Sequence, residues 1–359
     1  MKIYKATRKF ENWLGNRISL VKADLDLKHN VMAEDSYSFL RGTFYRWAQI
    51  WEKVCPGTVT APSVLAVGDL HVENFGTWRD DEGRLVWGVN DFDEAYPLPY
   101  TNDLIRLAVS ANLAVASGHL KLPSTAISKA ILDGYLAGLK SSGRAFVLEE
   151  QHSWLRTIAL GELRSPEHFW KKMDETPTVK DVPGSARNAL ERSLPEKNLD
   201  YRVARRVAGV GSLGHERYVA VAEWQGARIA REAKAIAPSA CAWVNGQRAS
   251  KRIFYPEILE IACRALDPSV HMRGRWLIRR LAPDCSRIEL EDLPDKVDEK
   301  RLLESMGFET ANIHLGSRRS MKALRKDIAN RGNDWLHEAT KAMTDSVIAD
   351  YEDWRKKHH

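Results

Sequence analysis

The chain has 359 residues, 44% of them hydrophobic and 28% charged, and its 54 Lys and Arg against 48 Asp and Glu leave a formal net charge of +6. At roughly 100–200 residues per domain this length suits two domains or lobes, and the composition is that of a globular protein, excluding disordered and fibrous classes. So modest a charge excess allows an anionic ligand such as a nucleotide without indicating a nucleic-acid binder.

No apolar run reaches the ~18–20 residues that a bilayer span needs. The opening residues lack an apolar signal core, so a cytoplasmic location without membrane association is expected. Cys55, Cys241, Cys263 and Cys285 lie far apart with no C-x-x-C pair, which argues against a disulfide scaffold and a cysteine zinc cage.

In chain order, residues 36–54 read as one helix: Leu40, Phe44, Trp47, Trp51 and Val54 recur at +4, +3, +4, +3, and Pro56-Gly57 stops it. Residues 64–67 form a short apolar strand ending at Gly68. Residues 77–78 and 84–89 flank a hairpin turn at Arg79-Asp80-Asp81-Glu82-Gly83. Helices are expected over 102–117, where Asp103 reads as a capping residue, and over 124–142. The stretch 143–199 is polar and punctuated by Pro177, Pro183-Gly184 and Pro195, a connector. Strands are expected at 201–208, 217–224 and 227–233, a helix near 256–265, and strands at 275–281 and 287–290. Residues 300–354 are helical, with Leu336, Ala339, Met343, Val347, Tyr351 and Trp354 at core-packing spacing.

The densest polar cluster is Gly68-Asp69-Leu70-His71-Val72-Glu73-Asn74, followed by Asn90-Asp91-Phe92-Asp93-Glu94. Both follow strand-like runs, a placement that puts carboxylates at strand ends facing a cleft. Asp69, four intervening residues, Asn74 and then a separate aspartate is the set that magnesium-assisted phosphoryl transfer asks for. One carboxylate accepts the proton of the attacking hydroxyl, while Asn74, Asp91 and neighbouring Asp93 offer hard oxygen ligands to Mg²⁺. His71 either joins this chemistry or braces the loop.

A second signal is Gly209-Val210-Gly211-Ser212-Leu213-Gly214. A dinucleotide fold would open a helix here, but the following residues alternate like a strand. Strand, glycine loop, strand, and then a strand bearing Lys234 is the order of a kinase phosphate lid and its lysine. The alternative is a glycine hairpin followed by an exposed lysine. Glu257 is the best candidate for the acidic partner of Lys234.

These blocks, with Phe39-Leu40-Arg41-Gly42, Asn74-Phe75-Gly76 and Asp103-Leu104…Arg106-Leu107, resemble the bacterial domain-of-unknown-function family 2252, which belongs with the protein-kinase-like and aminoglycoside/choline phosphotransferase superfamily. Where that family usually has an acidic residue after the lysine, Ala235 stands here. The resemblance implies an α+β, two-lobed kinase-like fold. Because Asp69 and Asp91 precede the glycine loop, the fold is expected to be circularly permuted. Residues 1–150 would form a helical catalytic lobe, 151–199 a connector, 200–292 a smaller antiparallel-sheet lobe, and 293–359 helices that complete the helical lobe.

The implied function is an ATP- and Mg²⁺-dependent phosphotransferase with a small-molecule acceptor. Asp69 would act as base, Asn74 and Asp91 as metal ligands, Lys234 as phosphate clamp, and Gly209, Gly211, Ser212 and Gly214 as the lid. A nucleotide-binding regulator without turnover, an AMP-transferring enzyme and a two-metal phosphohydrolase are the alternatives.

Overall fold

Apolar spacing accounts for most of the elements in the computed structural model, which describes residues 1–149, 151–160, 165–247, 250–285, 287, 290 and 298–358. The N-terminal region begins with α1 (Ile3–Gly15) and α2 (Lys22–Glu34), followed by α3 (Ser36–Gly42) and α4 (Phe44–Val54). The single helix expected over 36–54 is therefore two. The break falls at Thr43, with φ −129° and ψ 35°, whose hydroxyl donates to the Phe39 carbonyl at 2.6 Å. Beside it lies a close approach that spacing along the chain does not record: a Cβ at Gly42 would lie 2.6 Å from Cγ of Met32 on α2.

Next come β1 (Ser63–Ala66), the hairpin β2 (Phe75–Arg79) and β3 (Leu85–Val89), β4 (Tyr96–Pro99), α5 (Thr101–Ala116) and α6 (Ser124–Ser141). The polar stretch expected as a connector carries β5 (Phe146–Val147), α7 (Ser153–Ala159), α8 (Pro166–Glu175) and α9 (Gly184–Glu191). Then follow β6 (Tyr201–Arg205), β7 (Arg217–Trp224), β8 (Ala227–Ala235), α10 (Ala240–Val244), α11 (Tyr255–Ile261), β9 (His271–Arg273) and β10 (Trp276–Leu281). The last helices are α12 (Glu299–His314), α13 (Met321–Asn330) and α14 (Trp335–His358). The strand expected at 287–290 lies largely outside the described residues; Arg287 forms a single bridge to Gly76.

The fold is mixed α+β with antiparallel sheets. β6, β7, β8, β10 and β9 form the largest sheet in that order, in registers that place Arg217 opposite Lys234 and Val219 opposite Glu232. Two smaller sheets, β1–β4 and β2–β3–β5, lie among the helices. Among the described residues no helix is long and apolar enough to cross a membrane.

α5 is buried on nearly every face, its Asn102, Asp103 and Arg106 included. α14 packs on α5, α6, α2 and α4, so the last helix returns to the first ones. α12 lies against α6 at close range through glycines from both. A Cβ at Gly134 would run into the Glu304 carbonyl, and one at Gly307 into the Ile131 carbonyl.

This contact gives a test with opposed signs. Gly→Ala inside a helix gains up to about 1 kcal/mol of propensity, whereas overpacking against a backbone costs about 1–3 kcal/mol or more. Gly134→Ala is therefore expected to lower the urea midpoint at unchanged m-value. A raised midpoint would show that glycine does not set the α6–α12 spacing.

Candidate active site

The loop after β1 begins at Gly68, whose φ of +81° and proximity to the Glu94 carbonyl leave no room for a Cβ. Its backbone is held by a carboxylate from the first turn of α5. Asp103 accepts the Val67 N–H at 2.7 Å and the Gly68 N–H at 3.0 Å. The expectation that Asp103 caps its own helix is corrected here: the side chain turns away from the α5 amides to those of the neighbouring loop. Asn102 donates to the Gly68 carbonyl at 3.2 Å and to Asp103 Oδ1 at 3.0 Å. His314 Nε2 lies 3.1 Å from Asp103 Oδ2, with its Nδ1 2.9 Å from the Tyr135 hydroxyl.

Asp69 follows. Its Oδ1 accepts from Arg106 Nε at 2.8 Å and pairs with Nη2 of the same guanidinium. Arg106 is fully buried, with its Cζ 5.0 Å and 4.9 Å from the ring centroids of Phe44 and Trp47. Burial pushes Asp69 up to about 6 against the opposing pull of Arg106, near the value that suits a general base at neutral pH. Asn74 Nδ2 donates to the Asp69 carbonyl at 2.5 Å, while the Asn74 carbonyl accepts the Asn90 N–H at 2.9 Å and so joins the two loops. His71 Nδ1 accepts the Glu73 N–H at 3.3 Å, which assigns its ring proton to Nε2. Burial, then the charges of Arg41, Arg106 and Arg287, hold this histidine well below its usual value. Glu73 pairs with Arg41 at 2.6 Å.

From the opposite wall, β8 delivers Lys234, only 1% exposed, in an ion pair with Asp93 and 3.5 Å from Asp91 Oδ2. Burial alone would raise Asp91, but the charges of Lys234 and Arg279 outweigh it and hold the carboxylate well below the usual range. Asp93 is raised, by burial first and then by the charge of Asp91, and its Oδ1 is buried without a hydrogen-bond partner. Glu257 does not meet Lys234. It is exposed on α11 and pairs with Arg252 at 2.7 Å, so its expected role as partner of the lysine is corrected in favour of Asp93 and Asp91.

The glycine loop bends at Gly209 (φ +75°) and Gly214 (φ +97°). Its tip rests on the opposite wall: a Cβ at Gly211 would lie 3.1 Å from the Arg41 carbonyl and 3.5 Å from Asp69 Oδ2. Lys28 of α2 donates to the Gly211 carbonyl at 2.9 Å, and Arg217 donates to the Ser212 hydroxyl at 2.5 Å. Gly214 packs on Leu25. Asp69, His71, Asn74, Asp91, Asp93, Gly209, Gly211 and Ser212 all line one cleft of about 1140 Å³.

Lys28 and Glu94, which line the cleft, and Arg106 beneath Asp69 were given no role from the sequence. Arg106 has a signal, a lone cation inside an apolar helix. Glu94, whose Oε2 accepts the Ala240 N–H at 2.7 Å, closes the flagged run Asn90-Asp91-Phe92-Asp93-Glu94. Lys28 has none, since its helix shows no pattern pointing across to the glycine loop.

Glu94 makes stability depend on pH with a definite sign. Burial pushes it from 4.5 up to about 8, so between those values the native state holds a proton that the unfolded chain has lost. Its contribution is complete below about pH 4.5 and disappears as pH rises through about 8. Asp69 and Glu309, raised to about 6 and about 7, act in the same direction. Glu94→Gln is expected to flatten the fall in melting temperature from mildly acidic to mildly alkaline buffer. An unchanged slope would show that Glu94 is ionised throughout.

Residues 20–156 match the family described as an uncharacterized protein conserved in bacteria (DUF2252). The matched stretch carries the Asp69, Asn74 and Asp91 loops and ends before the glycine loop and Lys234. No curated protein and no solved structure matches the chain. Over its first loops and their supporting helices, then, this chain is similar to that bacterial family.

Proposed function

We propose that the chain is an ATP- and Mg²⁺-dependent phosphotransferase acting on the hydroxyl of a small molecule. The observation that carries this reading is the meeting of buried Lys234 with Asp91 and Asp93, two carboxylates that line the cleft, although the lysine lies more than a hundred residues further along the chain. The glycine loop over the same cleft and Asp69 beneath its tip add the lid and the base such a reaction needs. The reading brings a permuted kinase-like arrangement with it, α1–α6 and α12–α14 forming a helical lobe and β6–β10 a sheet lobe.

The residues suit a magnesium ion. Asp93 Oδ1 is a buried acceptor without a partner, the Asp91 side chain is 38% exposed toward the cleft, and the amide nitrogen of Asn74 is engaged by Asp69, which fixes the orientation of its oxygen. Among the described residues no group of three or more His, Cys, Asp and Glu is arranged to hold a metal ion. That favours a cation completed by ligand phosphates and water over the preassembled pair that a two-metal hydrolase needs. When bound, Mg²⁺ would supply positive charge that offsets that of the phosphates.

Each residue then has a defined task. Asp69, fixed through Oδ1 by Arg106, offers its other oxygen to the acceptor hydroxyl and takes the proton. Lys234, paired with Asp93, would bind a phosphate, and Asp91 and Asp93 would hold the cation. Phe10, Leu14, Phe44 and Tyr45 wall the cleft on the Asp69 side, a surface suited to a small acceptor.

Two variants separate these tasks. Asp91→Asn is expected to abolish the Mg²⁺ dependence of ATP affinity in calorimetry, and an unchanged dependence would remove Asp91 from the metal site. Asp69→Asn is expected to leave ATP·Mg²⁺ affinity intact while ADP formation falls about 10²–10⁴-fold. Loss of affinity in parallel with rate would make Asp69 a metal ligand, and release of AMP by the wild type would point to nucleotidyl transfer.

A further inference from the structure

Glu232 lies two residues before Lys234 on β8, hence on the same face and about 7 Å along the strand. It is fully buried and is met by three guanidiniums: Arg206 at 2.7 Å, Arg217 at 3.1 Å and Arg279 at 2.7 Å. Burial opposes its charge, but the three arginines outweigh that and hold the carboxyl well below its usual value. All three arginines line the cleft.

One carboxylate cannot satisfy three guanidiniums, each with five donors. Arg217 is itself only 4% exposed, and its Nε is buried without a hydrogen-bond partner. The neighbouring carboxylates make no ion pair with these arginines: Asp93 is taken by Lys234, and Asp91 lies 3.5 Å from the same lysine. Buried positive charge in excess of its partners is costly unless an anion joins it. Planar guanidiniums in a group are the arrangement that phosphate oxygens match. Arg217 also donates to Ser212, which ties the cluster to the glycine loop.

We propose that Arg206, Arg217 and Arg279 form a second phosphate site, holding one end of a polyphosphate chain whose other end lies at Lys234 and Asp91. That the chain belongs to a nucleotide rests on the reading above; the phosphate site itself does not. An uncharged purine placed on this part of β8 would leave the guanidiniums unmatched, so the base of a bound nucleotide lies off the Glu232 face.

The test is calorimetric titration of the full chain with sodium tripolyphosphate in EDTA, and separately with ATP·Mg²⁺, comparing wild type with Arg206→Gln. The Arg206 side chain is 25% exposed, so its replacement leaves the packed Glu232–Arg217–Arg279 contacts in place. Metal-free tripolyphosphate should bind the wild type, and Arg206→Gln should weaken it about ten- to a hundredfold, the range of one charge-assisted hydrogen bond. Arg206→Lys, which keeps the charge and loses the fork, should show a smaller loss and serves as the comparison if the glutamine variant fails to melt cooperatively. Absence of tripolyphosphate binding by the wild type, or equal affinities across the variants, would overturn the site. If ATP·Mg²⁺ binds wild type and variants alike, the phosphate site falls and the phosphotransferase reading stands. If tripolyphosphate binds and weakens as expected while ATP·Mg²⁺ does not bind, the nucleotide reading falls and the phosphate site stands.

Discussion

One buried carboxylate, Asp103, positions the cleft. It accepts the amides of Val67 and Gly68 and lies beside His314, so an anion with no access to water is satisfied entirely by fixed donors. Arg106 stands three residues later, on the same face of α5, and takes the side chain of Asp69. A single helical face thus grips backbone and side chain of consecutive residues, which fixes where the Asp69 carboxylate points. His314 comes from α12 and Tyr135 from α6, so the helices packed through Gly134 and Gly307 support the same loop. A disturbance of that packing reaches Asp69 through two hydrogen bonds.

The same burial acts differently on carboxylates a few ångströms apart. Asp69 and Glu94 are raised because burial exceeds the help from nearby cations and hydrogen bonds. Asp91 is lowered because Lys234 and Arg279 exceed the cost of burial. Asp69, at about 6, is thus largely ionised at neutral pH and can accept a proton, Glu94, at about 8, is largely protonated, and Asp91 stays ionised.

What was legible in the sequence follows from the range of each determinant. Periodicity identified α5, α6, β7 and β8 because their buried faces are written in their own residues. The two polar loops stood out because carboxylates directly after apolar runs sit at strand ends. The break at Thr43 was not legible, since the apolar stripe continues across it from Leu40 to Phe44. Nor was the direction of Asp103: an aspartate in a first helical turn ordinarily caps, and only the neighbouring loop redirects it. The partner of Lys234 was sought on a nearby helix and lies instead in the loop after β3. β9 escaped because its three residues are half-buried and show no alternation.

The glycine loop shows how such distant determinants meet. Gly42 and Gly211 face each other across the boundary between α3 and the loop: a Cβ at Gly42 would touch Val210 at 3.6 Å, and one at Gly211 would crowd the Arg41 carbonyl. Small residues are needed on both sides because the break at Thr43 brings the end of α3 directly under the loop. With only 3.5 Å between a Gly211 Cβ position and Asp69 Oδ2, any group that enters between them must lift the loop. The Lys28 bond to the Gly211 carbonyl opposes that movement, and a hydrogen bond from a charged donor is worth about 1.5–3 kcal/mol. An entering anion would offer the Lys28 ammonium another acceptor in the same place, so the cost of opening falls for negatively charged ligands and remains for neutral ones.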